Sequence, residues 1–329
     1  MMDQLISRFP EQLLEALEIG EKAQINAPTV ELNKVYVAGL GGSGIGADFV
    51  KTFIRAESPI PYTVGKGYSI PQYVDNHTLA ICSSYSGNTE ETLNSFRQMQ
   101  KTGAKIVVVS AGGKLIEEAK QNGYDYIQVP GNWPSPRACL GYSIIQQLFI
   151  MHKLGFIDGS FKHEVKAAVD LIKFDKDAIH DSAKQVAERI HTKKPVIYAT
   201  DRMEAVAVRL RQQINENAKM LCWHHVIPEM NHNELVGWTE KQEDLAVIYL
   251  RNRDDYKRNQ VRMDINQDII SKYTDTIIEI YSKGTSLIEK AIYLVHLGDW
   301  ISWYLSVHKG ADAVEIKVID YLKSELAKV

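Results

Sequence analysis

Three hydroxyl side chains and a glycine stand close together in the segment SSYSGNTEET, residues 83–92. The hydroxyls belong to Ser84, Ser86 and Thr89, and Gly87 lies among them. The segment follows an apolar run and precedes a helical pattern, so these groups surround a predicted helix N-terminus and could bind a phosphate monoester. The alternative is N-capping, for which one hydroxyl suffices. Because the loop contains no lysine, the pattern does not favour a nucleoside triphosphate.

A second glycine-rich segment, GLGGSGIGADF at residues 39–49, also stands between a strand pattern and a helix pattern. Three of its glycines fit the GxGxxG motif of dinucleotide-binding proteins: Gly39, Gly41 and Gly44. In those proteins an acidic residue about 20 positions further on binds the ribose. Residues 59–70 contain no acid, so the segment does not favour a nicotinamide or flavin cofactor. A tight turn without a ligand remains an alternative.

The two loops belong to an alternation of strand and helix patterns that begins at Lys34. Continuous apolar runs such as residues 106–109 predict strands buried on both faces, as in a parallel sheet covered by helices. A charged helical stretch at residues 160–194 precedes a second alternation, and 329 residues exceed one ordinary domain core. We therefore predict an α/β protein of two domains, residues 1–155 and 156–329, each a parallel sheet flanked by helices.

Composition and charge argue against several functional classes. The chain has 38 Lys and Arg against 41 Asp and Glu without a dense basic run, so we expect no nucleic-acid or anionic-membrane partner. Cys82, Cys139 and Cys222 are far apart, which disfavours a disulfide framework and a cysteine zinc site. The chain lacks an apolar run of about 18 residues, and its N-terminus lacks the basic start of a signal peptide. We expect a cytoplasmic protein.

Five segments together resemble the bifunctional phosphoglucose/phosphomannose isomerases of the sugar isomerase (SIS) superfamily, in the family's order and over nearly the whole chain. They are GLGGSGIGADF, SSYSGNTEET, SPRACLGYS, NENAK and PEMNHNELVGW. The resemblance implies two SIS domains and an aldose-ketose isomerase that interconverts glucose 6-phosphate and fructose 6-phosphate. It also implies a homodimer with a composite active site, and no metal or organic cofactor. The substrate phosphate would be bound by Gly42, Ser43, Ser84, Ser86 and Thr89.

This isomerisation requires a base for the proton next to the carbonyl and a group that stabilises the cis-enediol(ate). The resemblance makes Glu216, in NENAK, the base, although a solvated glutamate paired with Lys219 is an ordinary feature of helices. It places the permanent charge of Arg137 beside the enediolate oxygens, although arginines are mostly surface residues. His232 would open the pyranose ring from the neighbouring subunit, because an imidazole transfers protons near neutral pH. Lys323 would complete the catalytic set.

Three questions remain open at this point. Five potential zinc ligands stand within eleven residues, but their spacing fits no familiar helical or knuckle signature. They are His224, His225, Glu229, His232 and Glu234. A non-catalytic SIS sensor of sugar phosphates would keep the hydroxyl loop without the catalytic set. Residues 309–323 lack the threonine that the family commonly has there and that is linked to acceptance of mannose 6-phosphate, which leaves the mannose reaction open.

Overall fold

The computed structural model describes residues 1–328 and divides the chain into two compact units. The first unit is Arg8–Asp170, and the second combines Met1–Ser7 with the chain from Leu171 onward. The division falls inside helix α7 (Phe161–Phe174). Each unit holds one sheet in which all strands are parallel, flanked by helices, which confirms the predicted fold class.

The sheet of the first unit has five strands in the order β2-β1-β3-β4-β5. They are β1 (Lys34–Ala38), β2 (Tyr62–Gly65), β3 (Thr78–Ser83), β4 (Lys105–Ser110) and β5 (Asp125–Gln128). The three central strands, β1, β3 and β4, are buried along almost their whole length. Their apolar, β-branched runs lie in the interior, as a parallel sheet covered on both faces requires.

The helices of the first unit alternate with the strands, beginning with α2 before β1, except that β2 is followed directly by β3. They are α2 (Phe9–Lys22), α3 (Gly41–Phe53), α4 (Glu90–Met99), α5 (Gly113–Asn122) and α6 (Leu140–Lys153). Helix α6 is buried at every residue from Leu140 to Met151, and it packs against both α2 and α3. Its apolar sequence on all sides therefore reflects a central position in the unit. The short helix α1 (Met2–Ser7) belongs to the second unit, where it packs on helix α11 (Leu287–Lys309).

The second unit has a four-stranded sheet in the order β7-β6-β8-β9. Its strands are β6 (Lys194–Thr200), β7 (Trp223–Ile227), β8 (Leu245–Arg251) and β9 (Ile277–Tyr281). Its further helices are α8 (Lys176–Ile190), α9 (Glu204–Ala218), α10 (Lys257–Ile270) and α12 (Lys317–Leu326). The sequence did not predict β7, which is short and contains two histidines, or α10, whose few apolar residues form no clear stripe.

Helix α9 is attached to α11 by polar contacts in the interior of the second unit. Arg209 donates to Asp299 at 2.8 Å, and both side chains are less than a tenth exposed. In the last turn of α9, Asn217 donates to Ser302 at 2.9 Å. A buried ion pair has its charges satisfied only in one geometry, so it fixes how the two helices align. Among residues 1–328, no helix is both long and apolar enough to cross a membrane.

Candidate active site

The two glycine- and hydroxyl-rich loops lie side by side at the carboxyl edge of the first sheet. One loop joins β1 to α3 and the other joins β3 to α4, and the two strands pair with Ala38 opposite Cys82. In the sheet, β2 lies on one side of β1, and β3 lies on the other side. The order of strands therefore reverses between β1 and β3, and α/β sheets bind ligands at such a switch point. A methyl group on Gly39 would lie 3.0 Å from the Ser83 carbonyl oxygen, so the loops touch.

The hydroxyls of the second loop are directed to each other and not to the helix. Ser84 is buried and its Oγ lies 2.8 Å from Thr89 Oγ1. Thr89 is the N-cap residue of α4, yet its side chain makes no capping hydrogen bond. The exposed Ser86 accepts from the amide of Asn88, ahead of the helix. Capping therefore does not account for these hydroxyls, and the amides of the first turn of α4 receive no hydrogen bond from Thr89.

Gly87 is required by the backbone of this loop. Its φ of +68° lies in the left-handed region, and a methyl group there would come within 1.8 Å of the Gly112 carbonyl oxygen. The Gly87 amide donates to the Ser84 carbonyl, and its own carbonyl accepts from Leu115. These contacts fix the loop against the start of α5.

Arg137 lies beside the first loop. It sits in a 3₁₀ turn, Pro136–Ala138, and is 8% exposed, so the ordinary expectation of a surface arginine is wrong. Its Cα lies 4.0 Å from the position a Gly42 methyl group would take, so the Arg137 turn packs directly against the first loop. The neighbouring Ser43 is buried in the first turn of α3, and its carbonyl accepts from Ser143 at 3.3 Å. The structure thus gathers Gly42, Ser43 and Arg137.

The Arg137 turn is held by Gln12, a residue that the sequence analysis did not single out. The Gln12 side chain, fully buried on α2, donates to the Ala138 carbonyl at 2.8 Å and accepts from the Gly141 amide at 2.8 Å. Its sequence position offered one signal, because Gln12 occupies an apolar position of an amphipathic helix. A glutamine side chain buried at such a position requires a hydrogen-bond partner in the interior. Its partners lie more than 120 positions away, so no local pattern identifies them.

Glu216 stands half-buried in the last turn of α9, between two asparagines with structural partners. Asn215 donates to the Met220 carbonyl at 2.7 Å, and Asn217 donates to Ser302 on α11. The two contacts fix the backbone on both sides of the glutamate. The two asparagines of the NENAK motif therefore hold the backbone at Glu216 in place.

His232 is exposed at the end of a 3₁₀ turn, Glu229–His232, that follows β7. The loop is anchored two residues later by Glu234, whose Oε1 accepts from Tyr198 on β6 at 2.5 Å. The other carboxylate oxygen of Glu234 lies 2.8 Å from Nδ1 of His225 on β7. Glu234 therefore fixes the loop to two neighbouring strands while His232 faces solvent.

The proposed zinc ligands do not assemble. Within residues 1–328, no three His, Cys, Asp or Glu side chains are grouped so as to hold a metal ion. His225 and Glu234 pair with each other, and Glu229 accepts from Asn233. Burial, together with the nearby charge of Arg211, lowers the pKa of His224 to about 4. The cluster in the sequence is thus spread over a strand and two turns.

The predicted site residues are divided between the two units. Arg137 and the phosphate-loop residues lie in the first unit, whereas Glu216, His232 and Lys323 lie in the second. Lys323 is exposed on α12, a helix without a buried residue. Within the first unit the structure brings the predicted residues of both loops and Arg137 to one edge of the sheet.

Comparisons with known proteins agree with this architecture. Residues 30–135 match the family model of the SIS domain, and residues 179–326 match that of the bacterial phospho-glucose isomerase C-terminal SIS domain. The C-terminal domain of glucosamine-fructose-6-phosphate aminotransferase from Francisella tularensis shares the fold, with a TM-score of 0.77 and 13% identity over 95% of this chain and 98% of that one.

Two relatives are similar over most of their length. A bifunctional phosphoglucose/phosphomannose isomerase from Caldicellulosiruptor bescii is 38% identical over 100% of this chain and 99% of that protein. One from Aquifex aeolicus is 35% identical over 89% of this chain and 90% of that protein. Both alignments extend across the two SIS domains. The chain therefore belongs to the bifunctional phosphoglucose/phosphomannose isomerase family.

Proposed function

We propose that this protein is an aldose-ketose isomerase that interconverts glucose 6-phosphate and fructose 6-phosphate through a cis-enediol(ate). The observation that carries the proposal is the loop at the switch point of the first sheet. Its Ser84 and Thr89 hydroxyls form a pair 2.8 Å apart, and the Thr89 hydroxyl does not cap α4. The chain that holds this loop is 38% identical over its full length to a protein named for this activity.

The substrate phosphate would lie against the two loops. Hydroxyls donate to phosphate oxygens, and the amides at the start of a helix add donors and a favourable dipole. The donors would come from five residues: Gly42, Ser43, Ser84, Ser86 and Thr89. Binding energy from the phosphate would position the reacting carbons, which lie at the other end of the sugar.

Proton transfer is assigned to Glu216. Its carboxylate would take the proton from C2 of the open-chain aldose while the C1 oxygen gains a proton, and would then return a proton to C1 as the carbonyl forms at C2. Arg137 would stabilise the negative charge on the enediolate oxygens, since its guanidinium stays protonated. The burial of Arg137 supports this role, because a desolvated cation acts more strongly on a nearby anion.

Ring opening and the composite site are assigned to a homodimer. His232 would move the proton between the ring oxygen and the C1 hydroxyl from the neighbouring subunit, and Lys323 would assist at the site. The exposed position of His232 on an anchored loop supports a role at a subunit boundary. The three cysteines are buried and form no disulfide with one another, which suits the reducing cytoplasm, where we expect the protein to act. No step requires a metal or an organic cofactor.

Mannose 6-phosphate is included as a second substrate because the relatives are bifunctional by name. Glucose and mannose 6-phosphate differ at C2 and share one enediol(ate), so the same base serves both. Residues 309–323 lack a side-chain hydroxyl from Ser or Thr, and we therefore expect slower turnover of the mannose substrate.

The test is a coupled assay of the purified protein with fructose 6-phosphate, in which glucose 6-phosphate and mannose 6-phosphate are followed separately. Glu216→Gln purified in parallel is the control for a contaminating isomerase. We expect turnover that the substitution lowers by about 10²- to 10⁴-fold, the usual cost of losing a general base. Binding of hexose phosphates without turnover would instead identify a sensor.

The composite site has its own test. Glu216→Gln and His232→Ala proteins are each expected to be nearly inactive. If the two residues serve one site from different subunits, a mixed dimer has one intact site, so refolding the variants together restores about a quarter of wild-type activity by random pairing. Each variant refolded alone is the control. No restoration would mean that both residues come from the same chain.

A further inference from the structure

Lys219 ends helix α9 in a conformation that side chains normally avoid. Its φ of +54° and ψ of +35° place it in the left-handed region at the position after Ala218. Within residues 1–328 it is the one residue other than glycine with a positive φ. Glycine is the usual residue here, because a Cβ atom makes this conformation unfavourable. A lysine that persists at such a position points to a requirement for its side chain.

The Lys219 ammonium group is directed to three main-chain carbonyls. It donates to Glu216 at 2.8 Å, to Glu315 at 2.9 Å, and to Asp312. A lysine ammonium has three donor hydrogens, so it can donate to all three carbonyls at once. The Glu216 carbonyl is one of the last in α9, where a cation is favoured by the helix dipole.

The contacts connect the helix end that carries Glu216 to the segment that leads into α12. That segment, residues 311–316, has local hydrogen bonds, such as the Val314 amide to Asp312 and the Lys317 amide to Glu315. Helix α12 itself has no buried residue. Its location relative to α9 therefore depends strongly on how the preceding segment is held.

We infer that Lys219 is a positioning residue for the proposed isomerase: its ammonium fastens the segment before α12 to the end of α9 and so sets Lys323 relative to Glu216. The expected effect on kcat rests on the proposed function. The attachment of the segment before α12 to the end of α9 does not depend on that function. The strained backbone follows from the same requirement, since the left-handed turn directs the Lys219 side chain back over the end of the helix, where the three carbonyls lie.

The first variant is Lys219→Gly, which removes the ammonium and also the backbone strain. Its melting temperature is expected to stay within a few degrees of wild type, so a loss of activity is not a loss of folding. We expect kcat to fall at least tenfold while KM changes less than threefold, since the phosphate loops are untouched. Lys317→Met is the matched control, because Lys317 is a nearby exposed lysine whose ion pair to Glu315 is 4.0 Å long.

Chemical rescue separates the charge from the backbone. In Lys219→Cys, alkylation with bromoethylamine rebuilds an ammonium of nearly the same length, whereas iodoacetamide adds a neutral group. The native Cys82, Cys139 and Cys222 are buried, so the new thiol is the preferred target, and mass spectrometry confirms a single adduct. We expect the aminoethyl protein to recover kcat to within threefold of wild type and the neutral adduct to stay low.

Two further readouts test whether Lys219 acts through α12. Millisecond hydrogen-deuterium exchange at residues 311–323 should be faster in Lys219→Gly, with α9 before Glu216 unchanged. In a double-mutant cycle, Lys219→Gly should lower kcat less than twofold once Lys323→Met is present, because a misplaced lysine and an absent one are equivalent. Fully additive losses, unchanged exchange, or a Lys219→Gly protein with kcat within twofold of wild type would each overturn the inference. A wild-type protein without isomerase activity would instead refute the proposed function, and the exchange measurement would still decide the fastening.

Discussion

Substitution of Thr89 distinguishes a phosphate-binding role of its hydroxyl from a helix-capping role. Thr89→Val replaces that hydroxyl with a methyl group of similar size. A hydrogen bond to a charged group contributes about 1.5–3 kcal/mol, so losing one to the phosphate weakens binding roughly 10- to 150-fold. The structure limits the effect on stability. Because Thr89 makes no capping bond, the main loss is its contact with Ser84, a neutral pair that contributes about 0.5–1.5 kcal/mol.

The assay is calorimetric titration with glucitol 6-phosphate, which has no carbonyl and cannot be isomerised, so affinity is measured apart from turnover. Thr89→Ser is the matched control, since it keeps the hydroxyl and loses only the methyl group. We expect Thr89→Ser to bind within about threefold of wild type and Thr89→Val to bind at least tenfold more weakly. Equal affinity of Thr89→Val and wild type, or equal weakness of the two variants, would refute a phosphate contact by this hydroxyl.

Three further predictions concern the framework of the site. Arg209→Met is expected to lower the free energy of unfolding by about 3–5 kcal/mol, because Asp299 is left buried without its partner, and Arg209→Met with Asp299→Leu should recover most of that loss in urea unfolding. Burial, with a smaller contribution from His180, lowers the pKa of His296 to about 3. The unfolded chain takes up this proton near pH 6.5, so stability is complete above that pH and falls as the pH drops towards 3, by about 2 kcal/mol at pH 5. His296→Gln keeps an acceptor for the Trp300 indole NH and should give a flatter melting temperature between pH 6.5 and 4; an unchanged slope would contradict this assignment. Gln12→Leu, which removes both contacts to the Arg137 turn, should reduce kcat more than phosphate affinity, and a reversed pattern in the titration above would count against the role given to Gln12.

The elements that local patterns specify were predictable, and those that depend on distant partners were not. The apolar run at residues 106–109 and the loop around Gly87 carry their own signals, since burial and left-handed backbone restrict which residues fit. No comparable signal marks strand β7, where two histidines replace the usual apolar residues. Its pairing with β6 is long-range, and the carboxylate of Glu234 holds His225 in place.

The candidate site shows the same division. The hydroxyls of the phosphate loop were identified from residue types in one short segment, but their mutual pairing required coordinates. Arg137 was predicted as a site residue only from the family resemblance, because burial of a guanidinium depends on elements that the adjacent sequence does not reveal. The contacts of Gln12 and Lys219 each join segments more than 90 positions apart, so only the folded chain brings them together.

The central claim is that Glu216 moves a proton between C1 and C2, and isotope exchange tests it most directly. Fructose 6-phosphate is incubated with the protein in D₂O, and deuterium at C2 of the glucose 6-phosphate formed is measured by NMR or mass spectrometry. Proton transfer through a cis-enediol(ate) predicts deuterium at C2 with the wild-type protein, because a proton held by a carboxylate exchanges with solvent. The Glu216→Gln protein should form product, and incorporate deuterium at C2, far more slowly than the wild-type protein. Product without any deuterium would contradict a base whose proton exchanges with solvent, and a labelled product from Glu216→Gln at the wild-type rate would assign the base to another residue.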